Sequence, residues 1–139
     1  MTPERRAMVD YARSLVGAKW RHRGRKPWAV DCIGIVALSL EAAGATVEDR
    51  VDYGREPWRE GLREGLRARF GEPISFDDAE PGDVILFAWP GKEPSHIGIL
   101  ADYTHGGLSV IHAMQRKNVA EHAIDGAWKR LAVEAYRTW

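Results

Sequence analysis

Apolar residues recur at helical spacing through the first half of the chain. The pattern predicts three helices, which run from Pro3 to Gly17, from Asp31 to Gly44 and from Pro57 to Phe70. Thr2 is a suitable N-cap for the first helix, and Asp31 is a suitable N-cap for the second. The second helix is apolar on most sides, which predicts that it is buried. Residues 18–30 between these two helices are rich in Arg and Gly and are predicted to form a loop.

After Pro81-Gly82 the pattern changes to short runs of β-branched and aromatic residues separated by Gly and Pro turns. Such runs are typical of antiparallel strands. The predicted strands are Asp83–Trp89, His96–Ala101, Leu108–Ala113 and Val133–Tyr136, with a turn of helix near Trp128. Helices come first and strands second, which predicts an α+β fold.

The length and composition fit one globular domain over residues 1–139. Hydrophobic residues make up 45% of the 139 residues and charged residues 29%, as in ordinary folded domains. The 20 basic and 20 acidic residues cancel, so no nucleic-acid partner is predicted. No apolar run is long enough to cross a bilayer, so no membrane insertion is expected. The first residues lack the apolar core of a signal peptide, so we expect synthesis in the cytoplasm and export by another route.

Cys32 is the only cysteine, so neither an intramolecular disulfide nor a Cys-based zinc site can form. A lone cysteine is usually a small buried hydrophobic residue. Cys32, however, follows Asp31 and therefore lies in the first turn of a helix. There the helix dipole and the free N–H groups favour a thiolate and can stabilise an oxyanion. This position predicts a nucleophile with a lowered pKa.

Two histidines lie where antiparallel strands can bring them side by side. His96 begins the run from Ser95 to Leu100, and His112 stands near the end of the next run. One imidazole can then deprotonate Cys32 while the other fixes its tautomer. The alternative is that each is a half-buried strand histidine bonded to a carbonyl.

Other polar clusters have plainer interpretations. A zinc site is possible in principle, but its candidate ligands lack the helical HxxxH spacing, and no metal site is predicted. Those candidates are His96, His105, His112 and His122. The acidic stretch from Pro73 to Asp83 is interpreted as a solvated turn. The basic residues Arg21, Arg23, Arg25 and Lys26 can either attract acidic substrates or form salt bridges within the protein.

Several segments, in the same order, resemble the motifs of the NlpC/P60 cell-wall peptidases. Asp31-Cys32-Ile33-Gly34-Ile35-Val36 resembles their Asp-Cys-Ser-Gly-Leu-Val signature. The run from Pro81 to Phe87 resembles their Pro-Gly-Asp strand, and His96-Ile97-Gly98-Ile99 resembles their His-Val-Gly-Ile segment. The third polar residue of the family falls at His112, one strand later.

This resemblance implies a papain-like α+β fold, with N-terminal helices packed on a C-terminal antiparallel sheet. It also implies a Cys-His-His triad, in which Cys32 is the nucleophile, His96 the base and His112 the residue that orients the base. The family hydrolyses peptide or amide bonds in murein (peptidoglycan) stem peptides, commonly between D-Glu and a diamino acid. The resemblance implies no cofactor.

Two positions depart from the family pattern. The family usually has Tyr-x-Trp-Gly-Gly before the cysteine, whereas the equivalent stretch here runs from Trp20 to Gly24. Trp20 can donate only through its indole N–H. Ile33 replaces a serine that helps to hold a substrate amino terminus, which leaves Asp31 for that contact. The substrate-binding residues that the resemblance implies are Trp20, Asp31, His22 and Arg23.

The His-Arg-x-Arg loop that begins at His22, together with Asp-Cys-hydrophobic-Gly, resembles a phage-encoded or gene-transfer-particle branch of the family. In that branch the peptidase is carried on a tail, so a tail protein is an expected partner and the cell wall the expected place of action. Two alternatives stay open. One is a structural tail component without activity, against which the intact Cys32, His96 and His112 set argues. The other is a CHAP-type amidase or acyltransferase on a related fold.

Overall fold

The first helix begins where the sequence predicts and ends at Ser14, three residues before the predicted end at Gly17. In the computed structural model, which describes residues 1–139, helix α1 spans Pro3–Ser14. Thr2 Oγ1 accepts a hydrogen bond from the Arg5 N–H at 3.2 Å, which confirms the predicted cap. Gly17 follows the helix with φ of 96°, a left-handed conformation that favours glycine.

The segment between the first two helices is not a simple loop. It contains three two-residue strands, β1 (Lys19–Trp20), β2 (Arg25–Lys26) and β3 (Ala29–Val30), which form a sheet in the order β1-β3-β2. The loop prediction was wrong for these residues, because strands of two residues are too short to show a periodic pattern.

The second helix confirms its predicted start, whereas the third is divided. Helix α2 spans Cys32–Ala42, and Asp31 Oδ1 accepts from the Gly34 N–H at 2.7 Å. Residues 57–70, predicted as one helix, form a 3-10 turn at Pro57–Arg59 and then helix α3 at Leu62–Phe70. Gly61, with φ of 93°, separates them, because a left-handed residue interrupts helical hydrogen bonding.

The second half of the chain is a five-stranded sheet with one short helix, α4 (Gly126–Leu131). Its strands are β4 (Val84–Phe87), β5 (His96–Asp102), β6 (Leu108–His112), β7 (Ala120–Ala123) and β8 (Ala132–Tyr136). The strand order is β7-β6-β5-β4-β8, and every neighbouring pair is antiparallel. The predicted α+β fold is therefore confirmed, while β7 is an edge strand that the sequence pattern did not reveal.

The two faces of this sheet have different coverings. Helices α1 and α2 cover one face, where Met8, Ile35 and Ile99 are fully buried. On the other face Phe87 and Leu100 are buried beneath partly buried side chains that include that of Trp128. No helix of the structure combines the length and the apolar character that crossing a membrane would need.

A buried ion pair fastens the start of α1 to the sheet. Arg5 Nη2 lies 2.8 Å from Asp83 Oδ1, and the two side chains are 5% and 0% exposed. Arg5 also donates to the carbonyl of Pro81 at 2.9 Å. The interpretation of Asp83 as part of a solvated turn was wrong, because its carboxylate faces the Arg5 guanidinium inside the protein.

Candidate active site

Cys32 is the first residue of α2, and it opens onto a cleft of about 780 Å³. The cleft lies between the small sheet with α2 on one side and strand β5 on the other, and Trp20, His22 and His96 also line it. The side chain of Cys32 is half-buried. Gly34 is needed in the same turn, because a Cβ there would lie 2.2 Å from the carbonyl oxygen of Gly24.

The Cys32 thiol is not the low-pKa group that its helical position suggested. Burial, followed by the negative charge of Asp31, raises its pKa to about 12. The backbone N–H groups of Ile97, Cys32 and Ile33 act in the opposite direction but do not offset burial. In this structure Cys32 is therefore a protonated thiol at neutral pH.

Three histidines form a chain of hydrogen bonds that begins at the cleft. Nε2 of His96 lies 2.7 Å from Nδ1 of His112. Nε2 of His112 lies 2.8 Å from Nε2 of His122, and Nδ1 of His122 lies 2.9 Å from the carbonyl oxygen of Ala123. The sequence predicted the pairing of His96 with His112. It considered His122 only as a possible zinc ligand.

The position of His112 depends on a glycine in the neighbouring strand. A Cβ on Gly98 would lie 2.6 Å from Val110 Cγ2 and 3.2 Å from His112 Cβ. Any larger residue at 98 would push β6 away, because these distances are shorter than normal packing allows. Gly98 thus lets His112 lie against the ring of His96.

Aromatic side chains pack against the two buried histidines, His96 and His112. Trp89 stacks on His96 with 6.1 Å between ring centroids, and Trp128 meets His112 edge-on at 5.0 Å. Burial lowers the pKa of His96 to about 4. Burial, then the charges of His96 and His122, lowers the pKa of His112 to about 3. Both imidazoles are therefore neutral at neutral pH, the form that can accept a proton.

Asp31 lies beside the thiol, but all its acceptor positions are used within the protein. Its carboxylate, in a residue only 4% exposed, accepts four hydrogen bonds. The donors are the Gly34 N–H (2.7 Å), the Arg23 N–H (2.9 Å), Arg25 Nη1 (3.0 Å) and the Tyr53 hydroxyl. A carboxylate has about four acceptor sites, so this arrangement leaves none free for a substrate amino terminus.

Tyr53 is a residue of the site that the sequence did not identify. Its hydroxyl joins Asp31 and accepts from Arg25 Nη2 at 2.9 Å. Arg25 also forms a two-bond pair with Asp49, with distances of 2.7 and 3.1 Å. Of the two interpretations of the basic cluster, Arg25 therefore supports the salt bridge. No local pattern marks Tyr53, because it comes from an irregular segment between α2 and α3.

The remaining predicted residues are divided between the cleft and its surroundings. Trp20 and His22 lie in the cleft wall with their ring centroids 6.4 Å apart. The Arg23 side chain points elsewhere, because its Nε donates to the carbonyl of Tyr53 at 2.7 Å. His105 is on the exposed turn between β5 and β6, against Tyr103. No group of three or more His, Cys, Asp or Glu side chains is arranged to hold a metal ion.

A model of the NlpC/P60 family matches residues 17–137. The chain belongs to this family. A Corynebacterium glutamicum protein named "Probable endopeptidase" is 27% identical over 120 residues, which are 86% of this chain and 48% of that protein. A Mycobacterium tuberculosis protein of the same description is 31% identical over 107 residues, which are 77% of this chain and 23% of that protein. The chain thus spans about half, or less, of these curated relatives.

Solved structures have the same fold. The NlpC/p60 domain of the peptidoglycan hydrolase SagA superposes with a TM-score of 0.62 at 23% identity, covering 96% of this chain and 97% of that one. An NlpC/P60 family protein from Bacillus cereus gives a TM-score of 0.70 at 16% identity, covering 96% of this chain and 40% of that one. These superpositions confirm the papain-like α+β fold that the sequence predicted.

Proposed function

We propose that this protein is a cysteine endopeptidase that hydrolyses peptide bonds in the stem peptides of peptidoglycan. The observation that carries the proposal is the shared cleft of Cys32 and His96, with His112 bonded to the far nitrogen of His96. The names of the relatives, probable endopeptidases and a peptidoglycan hydrolase, support the same activity.

In the proposed reaction, Nδ1 of His96 takes the thiol proton as the Cys32 sulfur attacks the substrate carbonyl carbon. The free N–H groups in the first turn of α2 stabilise the oxyanion that forms. His96 then gives its proton to the leaving amine, and the C–N bond breaks to leave a thioester on Cys32. A water molecule, deprotonated by His96, attacks the thioester carbon, the C–S bond breaks to release the acid, and His96 returns the proton to the Cys32 sulfur. His112 holds the ring of His96 throughout.

The pKa values constrain the first step of this reaction. The pKa of Cys32 is raised to about 12 and that of His96 is lowered to about 4. A thiolate–imidazolium pair is therefore disfavoured before substrate binds. Proton transfer accompanies carbon–sulfur bond formation, and the neutral His96 is the base that this coupled step needs.

The scissile bond that we propose is the one between D-Glu and a diamino acid. Such a substrate carries both free carboxylates and an amino group. The cleft offers charges of both signs, from Arg55 and Lys92 and from Glu93, and it also holds an ion pair in which Arg59 Nε lies 2.8 Å from Glu56 Oε2. Trp20 and His22 line the same cleft as Cys32, and they are the proposed substrate contacts there.

We also propose that a tail protein of a phage-like particle carries the enzyme to the cell wall. The His22-Arg23-Gly24-Arg25 loop with its Asp-Cys-Ile-Gly segment is the feature that supports this delivery. Purified protein should then pellet weakly with whole sacculi, and it should be found in purified particles. Strong binding to sacculi together with absence from particles would contradict this delivery.

The activity is tested with purified muropeptides analysed by mass spectrometry, with Cys32→Ala as the matched control. We expect the wild-type protein to add one water across a stem-peptide bond and the Cys32→Ala protein to release nothing. Circular dichroism should be the same for both proteins. Fragment masses separate this activity from that of a CHAP-type amidase. The endopeptidase releases part of the stem peptide, whereas an amidase that cuts at the glycan releases the whole stem peptide. Equal cleavage by the Cys32→Ala protein would contradict the proposal.

A further inference from the structure

Hydrogen bonds along the three histidines all donate in one direction, from His96 toward His122. The bond made by His122, at the end away from the cleft, sets this direction. A carbonyl oxygen only accepts hydrogen bonds, so the bond to the Ala123 carbonyl requires that Nδ1 of His122 carries a proton. In the state in which all three rings are neutral, each imidazole carries only one proton. Nε2 of His122 is then an acceptor, and it faces Nε2 of His112 at 2.8 Å.

The same rule passes inward from one ring to the next. His112 must donate from Nε2 to His122, so its Nδ1 is unprotonated and accepts from Nε2 of His96 at 2.7 Å. His96 then carries its single proton on Nε2. Its Nδ1, which has no partner in the chain, is left as the unprotonated nitrogen. The proposed reaction needs the base in this state.

The opposite direction would place the proton of His96 on Nδ1, where the ring cannot accept a proton from Cys32. Nothing else that contacts His112 selects between the two directions. Both of its hydrogen bonds go to histidines, and Trp128 packs against it in a T-shaped arrangement. His112 is only 2% exposed, so solvent does not supply a substitute partner. The choice therefore depends on His122, half-buried on the edge strand β7.

We propose that His122 is a positioning residue that fixes the tautomer of His96 through His112. The proposal rests on the proposed function for its catalytic consequence, but the tautomers themselves can be measured without any substrate. His122 does not line the cleft. Its replacement should therefore change kcat and leave KM nearly unchanged.

Two substitutions reverse or preserve the direction. His122→Lys places a donor-only group opposite His112, whereas His122→Glu places an acceptor-only group there. With His122→Lys we expect His96 to carry its proton on Nδ1 and kcat to fall about 10- to 100-fold, the range found when a residue that orients a metal-bound histidine is replaced. With His122→Glu we expect the original tautomer and a kcat within a few-fold of wild type. His105→Gln, on the exposed turn, is the control.

The readout is the ¹⁵N NMR spectrum of the ring nitrogens in the full chain, recorded with melting curves and muropeptide kinetics. A wild-type His96 protonated on Nδ1 would overturn the proposal before any variant is made. An unchanged tautomer and kcat in a folded His122→Lys protein would do the same. If His122→Lys does not fold, equal losses of kcat in His122→Glu and His122→Leu would overturn it. A wild-type protein with the expected tautomers that cuts no muropeptide would contradict the proposed function alone.

Discussion

Each side of the cleft contains a buried polar residue near Cys32, and the two residues are stabilised in different ways. On the side of α2, Asp31 is held by the formal charge of Arg25, which also binds Asp49. On the side of the sheet, His96 is held by His112, and both rings are neutral. One side is a network of ions, and the other is a chain of uncharged rings.

The difference shows what each side can contribute to chemistry. The ionic side fixes the backbone at the start of α2, but the charge of Asp31 also raises the pKa of Cys32. It therefore positions Cys32, the proposed nucleophile, without lowering the pKa of its thiol. The neutral side contains no charge that would hold a proton in advance, so its rings can accept one during the reaction. The side of α2 thus positions Cys32, and the side of the sheet provides the rings that can accept a proton.

The largest effect should come from the neutral side. His96→Ala removes the proposed base, so kcat should fall about 10²- to 10⁴-fold while the protein remains folded. His112→Gln keeps a group that can accept from His96, so it should retain more activity than His96→Ala. Muropeptide kinetics on folded variants provides the measurement. A silent His112→Ala would show that His112 is only a strand histidine.

Removing a charge from the ionic side should mainly affect stability. Asp31→Ala leaves the half-buried Arg25 with one partner fewer and removes the cap of α2, so the free energy of unfolding should fall by about 3–5 kcal/mol. Arg5→Ala is the matched control, because it breaks the buried pair with Asp83, and neither of these residues lines the cleft. Both losses are read from urea unfolding curves. Only Asp31→Ala should also lower kcat, measured per folded molecule. Equal turnover in the two would contradict a role for the ionic side in positioning Cys32.

The neutral side should make the protein sensitive to mild acid. The pKa of His96 is lowered from 6.5 to about 4, so the unfolded chain gains a proton that the folded protein rejects. The contribution of His96 to the free energy of unfolding is complete above pH 6.5. It is lost as the pH falls toward 4, and the loss is about 3 kcal/mol for His96 alone. Unfolding curves at pH 7, 6 and 5 should show this slope. Glu121, whose pKa is lowered below 4.5, contributes only at lower pH.

Two variants sharpen the acid measurement. His112→Gln removes one of the buried imidazoles and should make the slope between pH 6.5 and 5 shallower. His105→Gln removes an exposed histidine and should leave it unchanged. The same slope in all three proteins would mean that the buried rings are not the source.

The parts of this molecule that were predictable from sequence are those with local signals. The caps at Thr2 and Asp31 and the strand patterns around His96 and His112 depend on neighbours in the chain, and the structure contains all four features. Strand β7 has the sequence Ala-Glu-His-Ala, which has no strand pattern of its own. It is a strand because it pairs with β6, which is a tertiary effect.

The site was predictable to the same extent. Cys32, His96 and His112 stand in motifs, whereas Tyr53 and His122 reach the site through the folded arrangement. The direction of the Cys32 pKa shift was also beyond the sequence. A helix start can be recognised from a capping residue, but burial depends on what packs around it, and here burial is the larger effect.

The smallest expected effect is on the alkylation rate of Cys32, and it measures how the charge of Asp31 acts on the thiol. With a pKa raised to about 12, Cys32 should react slowly with iodoacetamide at pH 7–8, more slowly than the same residue in the unfolded chain. Its rate should still be rising at pH 9, the ordinary thiol value. Asp31→Asn removes the nearby charge but keeps an acceptor for the α2 cap, so it should increase the rate modestly.

Asp49→Asn is the matched control for this measurement. It removes a charge from the same network, but its partner is Arg25 rather than the first turn of α2. It should leave the alkylation curve unchanged, while Asp31→Asn shifts the curve to lower pH. A wild-type curve with a midpoint well below pH 9 would mean that the resting enzyme holds a thiolate–imidazolium pair. His96 would then be charged before substrate binds. Only the rings behind it in the hydrogen-bond chain, those of His112 and His122, would then be neutral.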